Sequence, residues 1–157
     1  LGGFCVGGTL SVAAASAAVE GCVGETLAAL LAGARARRAH PGALRDALTV
    51  IAADEARHAE LGWRFVRWAL TQPDAANAVR SAVQDAFAQA LTDLPAPRMP
   101  AGVDAADWAA WGLLDPATHR HTVQAAVRQV IGPCVDTLLG EPLWSGLDRC
   151  QSLPQSA

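Results

Sequence analysis

The residues best suited to chemistry lie in the segment Ile51-Ala52-Ala53-Asp54-Glu55-Ala56-Arg57-His58-Ala59-Glu60-Leu61-Gly62. On a helix at about 100° per residue, Leu44, Leu48, Ile51, Gly62, Phe65, Val66 and Ala69 define one apolar face. Glu55 and His58 fall near the middle of that face, while Asp54, Arg57 and Glu60 lie at its edge or beyond it. A carboxylate and an imidazole three residues apart are therefore expected to point together into the core. An unsatisfied polar group there costs roughly 2–7 kcal/mol, and a charge costs more. Each other, Arg45 or Arg57, or a metal ion would be a sufficient partner.

The preceding segment offers matching carboxylates. Ser16, Val23, Leu27, Leu30 and Leu31 share a stripe that includes Glu20, and Glu25 falls on the opposite, Ala/Gly side of the same wheel. Two antiparallel helices would thus present Glu20 together with Glu55-x-x-His58. Carboxylate oxygens with one imidazole nitrogen suit iron or manganese and accept zinc. Helix register decides which glutamate is level with Glu55. If the first helix stops before Gly33, Glu20 is the level partner; if it continues to Arg38, Glu25 takes that place. The apolar stripe favours Glu20, with Glu25 as the alternative.

These elements follow from period and punctuation. Every long segment has helical period and none alternates like a half-buried strand, so the expected class is all-α. The first helix is predicted from Thr9 or Ser11 to between Ala32 and Arg38. The second, after His40-Pro41-Gly42, is predicted over Ala43–Leu70. A third, capped at Pro73-Asp74, is predicted over Ala75–Leu91. A proline-rich connector occupies 94–102 and carries no regular element. Asp104 is expected to cap a short helix through Trp108 and Trp111, which anchor it. Asp115-Pro116 reads as an N-cap with proline at the first helical position, opening a helix to Leu139 that Gly140 stops and Gly132-Pro133 kinks. Residues 143–157 read as a tail.

At Glu20-Gly21-Cys22-Val23-Gly24-Glu25-Thr26 and Asp54-Glu55-Ala56-Arg57-His58-Ala59-Glu60 the chain resembles the third and fourth helices of ferritin-like domains of the rubrerythrin and ferritin superfamily. The resemblance covers about residues 11–70. It implies a ferritin-like antiparallel bundle, with residues 1–72 forming half of it and 73–157 a helical extension. It also implies a non-haem di-iron centre (manganese being possible) in which Glu20 bridges or chelates, Glu55 bridges two metals and His58 binds one. Such centres reduce O₂ or peroxide, as an oxidase or oxygenase. The family's full site has four carboxylates and two histidines, twice what is found here. The other half is expected either from N-terminal helices of a longer chain or from a second copy in a homodimer. The opening at Leu1, with Met99 as the only methionine, favours a truncated chain.

Composition narrows the rival classes. The 157 residues are 52% hydrophobic and 17% charged, against roughly 25% charged for an ordinary domain. A net charge of −3 gives no electrostatic footprint for nucleic acid or an anionic membrane. Arg35, Arg37, Arg38 and His40 sit where cations complement a helix C-terminus, and His119 and His121 read as a solvated face. The chain has no tyrosine, so it carries no phenolic acid or tyrosyl radical. Cys5, Cys22, Cys134 and Cys150 form no C-x-x-C pair and read as reduced, mostly buried thiols of a cytoplasmic protein. Leu1–Val19 is uncharged but lacks a basic flank, and reads as a loop entering a helix. Gly62 is expected at a close helix contact, and Trp63 and Trp68 at the core edge. Two further readings stand beside the oxidase: a metal-free helical structural or interaction domain, and an iron-handling ferritin-like subunit.

Overall fold

The computed structural model describes residues 9–73, 76–94, 108, 111–140 and 143, and among them the chain is all-α, with no strand. Four helices carry it. Helix α1 runs over Leu10–Arg38, with a π-helical stretch at Ala17–Gly24 between its α-helical ends. Helix α2 is Ala43–Ala69 and α3 is Ala76–Thr92. Helix α4 comprises Pro116–Ala126, a π turn at Val127–Ile131 and Gly132–Leu139.

Helices α1 and α2 form an antiparallel hairpin, joined through Gly42 at φ 135°, a backbone conformation that glycine adopts without strain. The α1 terminus is closed from across the turn: Arg45 Nε and Nη2 donate to Ala39 O at 3.0 and 2.6 Å. Helix α3 lies along the first half of α1, and the start of α4 along the second half. The spacing of Val79, Val83, Phe87 and Leu91 on α3, and of Val123, Val127, Ile131 and Val135 on α4, places one apolar stripe of each on a core shared with Ala14, Ala18 and Cys22 of α1 and Val66 of α2. Trp63 stacks on Phe87 at 5.7 Å between centroids, and Arg80 Nη1 donates to Leu139 O at 2.8 Å, capping α4 from α3. Helix α1 is long and apolar enough to cross a membrane by length and composition. In this fold Ala14, Ala18, Cys22, Val23 and Leu27 of that helix are buried in the core, while Val12 and Val19 are exposed.

The tightest contact joins α1 to α2. A Cβ on Gly62 would lie 2.8 Å from Gly21 Cα, and one on Gly21 would lie 3.0 Å from Gly62 Cα, so the two backbones touch. Gly62 is therefore the close-packing position its sequence context indicates.

Several boundaries obey the expected punctuation. Asp115 caps α4 by accepting from Thr118 N at 2.9 Å, Pro116 opens the helix, and Gly140 ends it in the left-handed region at φ 69°. Ahead of Gly132-Pro133, where a kink is expected, the helix winds as a π turn: Gly132 N–H bonds to Val127 O, next to a proline that lacks an N–H. Trp108 is buried as expected, but Trp111 is 69% exposed and anchors nothing. The Asp74 cap, residues 95–107 of the connector region and 144–157 of the tail lie outside the described residues.

The Gly21–Gly62 contact makes opposite predictions for two glycines of one hairpin. Gly62→Ala should destabilise by about 1–3 kcal/mol, because backbone and not a yielding side chain stands in the way. Gly33→Ala, where the new Cβ would meet only the end of Arg37 at 3.5 Å, should stabilise by about 0.5–1 kcal/mol. Thermal denaturation of both variants checks the sign.

Candidate metal-ligating site

One ligand atom each from Glu25, Glu55 and His58 lies within 4.8 Å of the others, on the open side of the α1–α2 crossing. Glu25 lies one turn after Gly21, and His58 one turn before Gly62. Because the helices run in opposite directions, both fall on the same side of the glycine contact. Thr26, beside Glu25, accepts a hydrogen bond from Trp63 Nε1 at 3.2 Å and ties the two helices just behind the site.

Glu20 is not part of this group. It is exposed, and its Oε1 accepts from Ser16 Oγ at 3.4 Å. Two features of α1 make the difference. The helix passes through Gly33 and ends at Arg38, the register in which Glu25 is level with Glu55. In addition, residues 17–24 are π-helical, so Glu25 N–H bonds to Glu20 O across five residues. Each such turn holds an extra residue and rotates the later part of the helix by about 100° relative to an unbroken α-wheel. On that wheel Glu25 falls on the far side; in the folded chain it faces α2.

The apolar face predicted for α2 is also shifted. The stripe turned to α1 consists of Leu48, Ala52, Glu55, Ala59, Gly62, Val66 and Ala69. Ile51 and Leu44 are 44% and 38% exposed. The Glu55 side chain is half-buried, whereas that of His58 is 61% exposed, so the pair stands at the rim of the helix contact and not in the core. Neither candidate arginine satisfies it. Arg45 is used on the Ala39 carbonyl, and Arg57 pairs with Asp54. His58 Nδ1 instead lies 3.2 Å from Glu55 Oε2.

The electrostatics are those of two carboxylates set close to each other and to an imidazole. The hydrogen bond with Glu55, followed by partial burial and the Glu55 charge, raises the Glu25 pKa. The same hydrogen bond, with that from His58, lowers the Glu55 pKa.

Elsewhere, His119 is partly buried, where desolvation lowers its pKa, and its Nδ1 lacks a hydrogen-bond partner; His121 is exposed. Cys22 is buried and its thiol is pushed up to about 12 by burial and then by Cys134. Cys134 is exposed, unlike the buried thiols expected, and both are free. Cys5 and Cys150 lie outside the described residues. Comparison with protein-family models, with curated proteins and with solved structures finds no match.

The raised Glu25 pKa sets a pH dependence for the chain in the absence of metal. A carboxyl whose pKa is raised on folding contributes stability that is present at acid pH and lost as pH rises through its folded value. Glu25→Gln keeps a donor to Glu55 but removes the second charge. The variant should therefore melt a few degrees above the wild type near pH 7, with the difference closing toward about pH 4. Melting curves across that range, recorded with a chelator, test the assignment.

Proposed function

We propose that this chain is a metal-binding helical protein in which Glu25, Glu55 and His58 hold a first-row transition metal, iron or manganese, in one half of a carboxylate–histidine centre of the ferritin-like kind. The observation that carries the reading is the convergence of two carboxylates and one imidazole from two different helices, within 4.8 Å and beside a rigid glycine contact. The donor set fits the metal. Carboxylate oxygens and a single imidazole, with no thiolate in the group, match the preferences of Fe and Mn over softer ions.

A bound iron would supply redox equivalents and an open coordination position for O₂ or peroxide, consistent with an oxidase or oxygenase. The chain's own residues do the positioning. Glu25 and Glu55 would each offer a carboxylate oxygen to the cation, which competes with protons for them. Glu55 also holds one ring nitrogen of His58, which fixes the imidazole in the site. The Trp63–Thr26 hydrogen bond and the Gly21–Gly62 contact keep the two ligand-bearing helices in register. The free thiols of Cys22 and Cys134 fit a reducing, cytoplasmic setting.

A second reading, a metal-free structural or interaction domain, draws support from the same triad. Its groups are mutually hydrogen-bonded and solvent-accessible, so the chain tolerates them without a cation. Metal titration separates the two. Under the metal reading, anaerobic Fe(II) or Mn(II) binds at no more than one ion per chain and raises the melting temperature. Glu55→Ala or His58→Ala weakens binding by about 10-fold or more, and Glu20→Ala leaves it unchanged. Affinity rises with pH, because the ligand groups bind the cation in their deprotonated forms. An unchanged melting temperature with saturating metal would leave the structural reading standing.

A further inference from the structure

Helix α2 carries two seams side by side: one is covered within the chain, and the other is covered only in part, Phe65 packing against the core and Leu44 lying beside Gly112. The first, from Leu48 through Gly62 to Ala69, is spent on α1. The second occupies positions 44, 47, 51, 54, 58, 61, 65 and 68, alternating steps of three and four without a break. That is the a/d spacing of a coiled-coil seam. It is apolar at both ends and polar only at its centre, Asp54 and His58. It is also open: Leu61 is 67% exposed, Trp68 51% and Ile51 44%. Phe65 is partly buried, its ring 5.6 Å from that of Trp68.

From this pattern we infer that a second copy of the chain packs on this seam, α2 against α2 in antiparallel orientation about a twofold axis at residue 56. The sequence is complementary to itself in that register. Leu44 then meets Trp68 of the second copy, Ala47 meets Phe65, Ile51 meets Leu61, and Asp54 meets His58, each pair centred on the same residue. Small faces large at Ala47 and Phe65, and apolar faces apolar at the other outer pairs. The one polar layer opposes a carboxylate to an imidazole, twice by symmetry. A parallel pairing would set Asp54 against Asp54 and His58 against His58, which is repulsive. The central polar layer thus selects both register and direction, the role such residues have in coiled coils.

This contact also completes the site. Glu55 lies one residue from the axis and His58 two, heights of about 1.5 and 3 Å along the helix. The two triads therefore face each other at nearly the same level across helices about 8–10 Å apart, bringing together four carboxylates and two imidazoles. His58, held by Glu55 through one ring nitrogen, has the other available for Asp54 of the second copy. The paired centre rests on the metal reading above; the seam does not.

The test is sedimentation of the full chain in chelator, so that metal plays no part. Wild type should sediment as a dimer. Ile51→Lys and Leu61→Glu, both at exposed positions, should each give a monomer with unchanged helical circular dichroism. The variant carrying both changes should dimerise again, because in the antiparallel register each introduced ammonium faces an introduced carboxylate of the other copy. A monomeric wild type, or single variants that remain dimeric, overturns the interface. A combined variant that stays monomeric overturns the antiparallel register, since a parallel pair would set like charges together. A chain that dimerises as described but binds no metal refutes only the metal reading.

Discussion

The close approach of α1 and α2 at Gly21 and Gly62 governs the geometry of the hairpin. Both positions lack a Cβ, and either side chain would run into the opposite backbone. The contact brings the helix axes nearer than larger residues permit, which lets short carboxylate side chains from two helices reach a common point. Glu25 and His58 each lie one turn from the crossing, on the same side. The site is thus built from rigid elements next to their tightest contact, and its spacing derives from the crossing.

Within that frame the triad is held at low energetic cost because it sits at the rim. A fully buried carboxylate pair with an imidazole would carry a large desolvation penalty. Here Glu55 is half-buried and His58 is open to water, so that penalty is small. The same arrangement leaves the ligand atoms accessible from outside the bundle. The π stretch before Glu25 contributes as well. A widened turn costs hydrogen-bond regularity, and it turns this carboxylate toward α2, where an unbroken α-helix would turn it away.

Helix α2 joins these features. Its inner seam builds the hairpin, its outer seam is largely exposed, and Glu55 and His58 lie on adjacent seams. That explains how two residues three apart can differ so much in exposure.

Residue order alone carries the all-α class, the boundaries of α2 and α4, the Asp115 cap, the close contact at Gly62 and the prominence of Glu55 and His58. Each of these depends on local chemistry or on the period of an unbroken helix. The π stretch at 17–24 has no such signal, because no residue type there announces the change in winding. A regular wheel consequently selects Glu20 where the folded chain brings Glu25 to Glu55 and His58. It also places Ile51 and His58 on the buried face, because α2 is apolar over a wider arc than one neighbour covers. Which part of that arc is buried depends on the angle at which α1 approaches, and that angle is set by the two glycines meeting in space. The choice of carboxylate for the pair, and of the apolar seam that stays open, therefore belongs to the packed chain, since both are relations between helices and not properties of either one.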